Sequence, residues 1–119
     1  MLCSVARVLI SEPHSDITSL LELVVRRIGH QPVLWTGDER VLPVDAAVIE
    51  PGEEDGLRLA TSLAAAGVPI VFTSIYPPTE ETQRLKPTAY LVKPFPLFTL
   101  ECALNAVLGT DDVPLAEAG

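Results

Sequence analysis

The sequence predicts an α/β domain built on a doubly wound, five-stranded parallel sheet. Three observations carry that expectation. Short apolar runs rich in Val and Ile recur at 6–11, 32–35, 44–49, 70–74 and 89–92. Runs of this length and composition suit strands covered on both faces. Between several of them lie segments with apolar residues at i, i+3, i+4 spacing, the stripe of an amphipathic helix. Strands alternating with helices mean βαβ units, and right-handed crossovers then leave few topologies.

The first strand is Ala6, Val8, Leu9 and Ile10, followed by the loop Glu12-Pro13-His14-Ser15. Ser15 or Asp16 is expected to cap the next helix, where an acidic group suits the positive end. Ile17, Leu20, Leu21, Val24, Val25 and Ile28 form its stripe, and Gly29 stops it. Strand two is Pro32 to Trp35. The connection from Thr36 to Val44 leaves room for one helical turn at most. Strand three is the run from Val44 to Ile49, entered through Asp45 and left through Glu50 and Pro51.

A turn-rich acidic loop with Gly52 and Gly56 precedes a helix from near Asp55 to Ala66. Its stripe is Leu57, Ala60, Leu63 and Ala64, and Gly67 ends it. The run Glu53-Glu54-Asp55 reads as a solvated helix start rather than a metal site. Strand four is 70–74. Thr79 caps a short polar helix from Glu80 to about Leu85, which Pro87 prevents from continuing. Strand five is 89–92. Pro96 suits the first turn of a last helix ending near Leu108 and Gly109. That helix packs through Leu97, Leu100, Leu104, Val107 and Leu108.

At 119 residues the chain is of single-domain size, with a domain expected over 1–109 and a short acidic, frayed tail over 110–119. Apolar residues make up 48% and aromatics only 5%, so the core must be aliphatic. A net charge of −8 with scattered Lys and Arg argues against nucleic acid, which needs clustered cations. Cys3 and Cys102 stand at opposite ends and suggest neither a metal site nor a disulfide framework. Reduced thiols and a cytoplasmic location are expected. The first apolar stretch is too short for a leader and is interrupted by Arg7, and no run approaches a membrane span.

If the sheet is parallel, the carboxyl ends of the strands gather Glu12, Glu50, Ser74 and Lys93 at the edge where open α/β folds keep their sites. In spacing and order, Glu12, Asp45 through Glu50, Ser74, Tyr90 and Lys93-Pro94-Phe95 are similar to the receiver domain of bacterial two-component response regulators. The most specific pieces are Ala-Tyr-Leu-Val-Lys-Pro-Phe at 89–95 and Val-Pro-Ile-Val-Phe-Thr-Ser at 68–74. The resemblance covers about 6–109 and implies a flavodoxin-like fold of strand order 2-1-3-4-5, with reduced second and fourth helices. It also implies no enzyme, but a domain that accepts a phosphoryl group from a histidine kinase onto an aspartate after strand three, with Mg²⁺ held by that aspartate and an acidic pair after strand one.

Carried over, the phosphoacceptor position is Glu50 and the acidic pair falls on Glu12 and Pro13. The phosphoryl-contact positions are Ser74 and Lys93, and the switch aromatic is Tyr90. The resemblance further implies a cis bond before Pro94 that aims Lys93 into the site. Two departures point to an atypical pseudo-receiver. Pro13 removes a metal ligand, and Glu50 is one methylene longer than Asp, displacing its oxygens by over ~1 Å, an error that can cost about 10²-fold where in-line attack is required. Mg²⁺ would have only Glu12 and Glu50, and hold weakly.

Each of these residues has more than one reading. Glu50 can mimic the phosphorylated state by reaching Lys93, serve as a weak acceptor, or be a plain ion-paired remnant. Lys93 can contact a phosphoryl group or close the site edge by pairing with Glu12 or Glu50. Ser74 can contact a phosphoryl group or cap its own loop. Tyr90 can switch or simply pack on a half-buried face. His14 can join Glu12 and Glu50 on a transition metal, while His30 reads as an exposed loop residue. Phe98 and Cys102, four apart and off the stripe, suit either a partner surface or edge packing.

The expected function is a phosphorelay signalling module that works by protein contact, with no efficient phosphoryl transfer and no confident cofactor. Its partner would be a histidine kinase, a downstream signalling protein or a second copy in a homodimer. The contact face would be the short helix after strand four, strand five and the last helix. No output domain is expected within these residues. A working Mg²⁺-dependent phosphoacceptor is the alternative. A third is a binding module with a pocket lined by Trp35, Glu50 and Ser74. No glycine-rich phosphate cradle and no nucleophile–base pair is legible.

Overall fold

A computed structural model of the protein describes residues 5–52 and 54–108. Cys3, Glu53, the expected helix stop at Gly109 and the 110–119 tail lie outside the described residues. Along the chain run β1 (Arg7–Ser11), α1 (Ser15–Arg27), β2 (Gln31–Leu34), a 3-10 turn (Glu39–Val41) and β3 (Ala46–Ile49). They are followed by α2 (Glu54–Ala65), β4 (Ile70–Ser74), α3 (Glu80–Arg84), β5 (Ala89–Val92) and α4 (Leu97–Leu108). All strand pairs are parallel, in the order β2-β1-β3-β4-β5.

The sheet is covered on both faces because successive strand residues point to opposite sides. Val8, Ile10, Val48, Val71 and Leu91 meet Leu21, Val24 and Val25 of α1 and Leu100 and Leu104 of α4. Leu9, Val33, Ala47, Ile49, Ile70 and Phe72 meet Leu59, Ala60 and Leu63 of α2. β3 and β4 are buried at every position, which is why their sequences show no alternation. Phe72 is the largest fully buried side chain, and its removal should cost about 3–5 kcal/mol.

Two helix stops are glycines with φ of 92° (Gly29) and 84° (Gly67). At each, the residue after the glycine donates back into the last turn: His30 to Val25 O and Val68 to Leu63 O. That wrapped ending needs a left-handed residue, which glycine supplies without a Cβ penalty. It also carries His30 inward. His30 is buried rather than exposed, and its Nδ1 accepts the Ala6 N–H at 3.0 Å.

The short connection between β2 and β3 is held by Arg7, whose guanidinium donates to the carbonyls of Val41 (2.7 Å) and Pro43 (2.6 Å). Asp45 locks the same end, accepting the Arg7 N–H at 2.8 Å. At the sheet edge, Gln31 and Trp35 donate to β1, so Pro32 faces outward. Its missing N–H removes a donor that a stray strand could pair with.

Several local expectations are corrected. The N-cap of α1 is His14 with no side-chain cap bond, not Ser15 or Asp16, because the helix begins at Ser15. Leu20 is exposed, since the buried stripe of α1 narrows to Leu21, Val24 and Val25. In α2, Leu59 is buried where Leu57 was expected, because the helix presents Gly56 and Leu59 to the sheet. Pro96 stands one residue before α4 instead of inside its first turn. Trp35 lies just past β2.

Candidate functional site

The strand register brings the expected residues to one edge. Ser11 pairs with Ile49 across β1 and β3, and Ser74 pairs with Val92 across β4 and β5. Glu12, Glu50 and Lys93 each follow their strand by one residue. Glu50 N donates to Ser11 O at 2.9 Å, and Lys93 N donates to Ser74 O at 2.7 Å. The backbone ladder thus sets three charged side chains side by side.

Lys93 Nζ lies 2.8 Å from Glu12 Oε1 and 3.4 Å from Glu50 Oε2. The Glu12 side chain is wholly buried, and those of Glu50 and Lys93 are 11% and 12% exposed. The closer partner of Lys93 is therefore Glu12, not Glu50. Two carboxylates this near one another repel unless a cation lies between them, and Lys93 is that cation. The Lys93–Pro94 bond is cis, as the resemblance implied.

Each carboxylate uses its second oxygen elsewhere. Glu50 Oε1 accepts the Gly52 N–H at 2.5 Å. Glu12 Oε2 accepts the His14 N–H at 3.2 Å and lies 3.1 Å from His14 Nδ1. Glycine is needed at Gly56 and leaves room for the Glu50 side chain at Gly52. A Cβ on Gly52 would sit 2.9 Å from Glu50 Oε1, and one on Gly56 would sit 2.2 Å from the Glu50 carbonyl oxygen. Sequence reading missed Gly56, although a glycine inside a helix segment is the signal for such close packing.

Ser74 and Tyr90 stand at the same edge, and their hydrogen bonds go to the loop after β4. Ser74 Oγ accepts the Tyr76 N–H at 3.1 Å, so the hydroxyl caps its own loop. Tyr90 donates its phenol to the carbonyls of Tyr76 (2.9 Å) and Pro77 (3.2 Å), and its ring tilts against Phe72 at 5.9 Å. Both therefore fasten the loop from β4 to α3. Pro13 is exposed and offers no donor. His14 reaches Glu12, yet among the described residues no three His, Cys, Asp or Glu side chains form a group that could hold a metal ion.

Trp35 lines two clefts. One of about 380 Å³ lies between the 3-10 turn and α2, with Leu42, Leu59 and Leu63 in its walls. The other, about 330 Å³, lies over the β1–α1 loop beside Glu12, Pro13 and Ser15. Neither Glu50 nor Ser74 belongs to them, so the pocket expected from Trp35, Glu50 and Ser74 does not form there.

No protein-family model and no curated protein matches the chain. Solved structures do. A signal receiver domain of a modulated diguanylate cyclase from Desulfovibrio desulfuricans G20 is 24% identical, with a TM-score of 0.75 over 88% of this chain and 94% of that one. A response regulator receiver domain (CheY-like) from Methylobacillus flagellatus is 22% identical, with a TM-score of 0.72 over 87% and 99%. The chain has the receiver fold. A response regulator from Thermotoga maritima, only 13% identical, reaches a TM-score of 0.75 over 90% of this chain and all of its own. The receiver fold is thus reached through strand order and layer packing rather than shared residues. The trio of Glu12, Glu50 and Lys93 lies at the carboxyl edge of that fold, where a doubly wound sheet opens between β1 and β3.

Proposed function

We propose that this chain is an atypical receiver module of two-component, phosphorelay signalling, which acts by protein contact and does not take a phosphoryl group efficiently at Glu50. The observation that carries this reading is the Lys93 ammonium seated between Glu12 and Glu50, with all three side chains largely buried. A lysine so engaged is not available to an incoming phosphoryl group unless two ion pairs part first.

The donor set also does not fit Mg²⁺. That ion demands near-octahedral oxygens, whereas here Pro13 has no carboxylate, and Glu12 and Glu50 would have to release or share the Lys93 ammonium to bind it. Ser74, turned into its loop, supports the same reading.

The contact face would be α3, β5 and α4. There Val92 and Phe98 are 44% and 71% exposed, Cys102 is exposed one turn from Phe98, and the loop leading into α3 adds exposed Ile75 and Tyr76. A histidine kinase, a downstream signalling protein or a second copy of the chain would dock on it. Incubation with Mg²⁺ and acetyl phosphate, followed by intact mass, tests the reading. No phosphoryl gain at Glu50 is expected; stoichiometric gain there would make the protein a working phosphoacceptor.

A further inference from the structure

The cleft over the β1–α1 loop encloses about 330 Å³, within the size range of small-molecule sites. Trp35 forms one wall. Its backbone N–H donates to Ile10 O at 2.9 Å, and its side chain packs against the core layer under α2, so the half-buried indole is held in place where it borders the cleft. The charged side chains that line the cleft are both carboxylates, Glu12 and Glu22, with no Lys, Arg or His among the described residues there. Lys93 answers the charge of Glu12. The charge of Glu22 has no such answer. The residue is half-buried, and among the described residues its carboxylate makes neither a hydrogen bond nor an ion pair. It lies about two turns into α1, beyond the first turn where the positive helix end acts. Ser15, Ser19 and Thr36 border the same cleft, and their hydroxyls are likewise without a hydrogen bond among the described residues.

We infer that this cleft binds a small hydroxylated alkylammonium ion. Its cationic head takes the Trp35 ring and the Glu22 carboxylate, and its hydroxyl takes the Ser and Thr side chains. An indole attracts an organic cation through the negative face of its ring, and a carboxylate beside it adds the opposite charge. A hard metal ion is a poorer fit, because it needs about six oxygen ligands and Glu22 is the one carboxylate here that no ammonium already holds. The net charge of −8 draws a cation toward the surface. Glu22 and Trp35 take no part in the Lys93 trio, so the inference stands apart from the reading of Glu50.

Choline chloride is the probe. Sodium chloride at equal concentration controls for ionic strength, and the neutral isostere with carbon in place of nitrogen controls for apolar contact. Trp35 is the chain's one tryptophan, so its fluorescence reports on the cleft directly. Choline should change that fluorescence saturably, with a Kd on the order of 1–10 mM, as partly exposed ion-pair and ring contacts allow. Saturable amide shifts in NMR spectra should gather at Ser15, Ser19, Glu22 and Thr36. Glu22→Gln, which removes only the charge, should raise the Kd about fivefold. Trp35→Leu, followed by the same amide shifts, should raise it about tenfold. Because Trp35 also packs on the core, Glu22→Gln decides if Trp35→Leu does not fold. An equal response to the neutral isostere or to sodium chloride would overturn the inference, as would an unchanged Kd in Glu22→Gln. The absence of saturable shifts at these amides would overturn it too.

Discussion

Lys93 Nζ donates to Glu12 Oε1 across 2.8 Å, joining the first and last strand ends of the sheet over 81 residues of sequence. This contact closes the carboxyl edge. It draws the loop after β1 and the loop after β5 to a common point, and Glu50 adds a longer bond of 3.4 Å from β3 between them.

Removing the lysine should therefore do more than delete a surface charge. Lys93→Met leaves two nearly buried carboxylates facing each other without a counter-ion. Breaking such a pair costs about 3 kcal/mol. Urea denaturation checks this, and a loss under about 1 kcal/mol would mean that water already screens the trio.

The two glutamates should rank unequally. Glu12→Gln loses the short bond and weakens the hold on His14, while Glu50→Gln loses only the longer one and keeps an oxygen for Gly52 N. The first should cost about 2 kcal/mol and the second about 1 kcal/mol or less. A double-mutant cycle with Lys93→Met measures each coupling.

Gly56→Ala should cost stability even though alanine favours helices by about 1 kcal/mol. The added Cβ meets the Glu50 carbonyl oxygen at 2.2 Å, and backbone cannot step aside as a side chain can. The net loss expected is about 1–3 kcal/mol, the usual cost of overpacking. Gly52→Ala should be milder, because its Cβ meets the flexible end of the Glu50 side chain. Thermal melts of the two variants compare them directly.

Much of the fold was legible in the chain. β4 and β5 fall where their apolar runs begin and end, and Thr79 caps α3 through the Thr82 N–H as its position suggests. Gly29 and Gly67 stop their helices because only a left-handed residue completes those turns. The site was legible as a set of positions but not as a set of bonds. Sequence spacing could bring Glu12, Glu50 and Lys93 to one edge, yet which carboxylate the ammonium prefers depends on rotamers and on depth. Ser74 was open between two uses; its hydroxyl accepts the Tyr76 N–H, a loop bond that spacing alone does not reveal. His30 was misread because a wrapped helix ending, not its neighbours in sequence, turns it onto Ala6.

Away from the site, Asp38 should contribute a small acid-side term. Its side chain accepts from Arg40 N and pairs with the Arg40 guanidinium, which holds its carboxyl below the usual 3.8. A lowered folded value means the contribution is complete above the unfolded value and lost as pH falls through the folded one. Asp38→Asn should lower stability slightly and evenly above about pH 4, with the difference from wild type vanishing as pH falls below the folded value. A loss that persists undiminished at low pH would assign the residue a role in the 3-10 turn that does not depend on its charge.

With Lys93 closing the edge, no hard cation is expected to enter between Glu12 and Glu50. Following backbone amide signals by NMR while Mg²⁺ is added to millimolar levels tests it most directly. No saturable shifts are expected at the amides of Glu12, Glu50 and Lys93. Saturable shifts at those three amides, with the rest of the spectrum still, would contradict it.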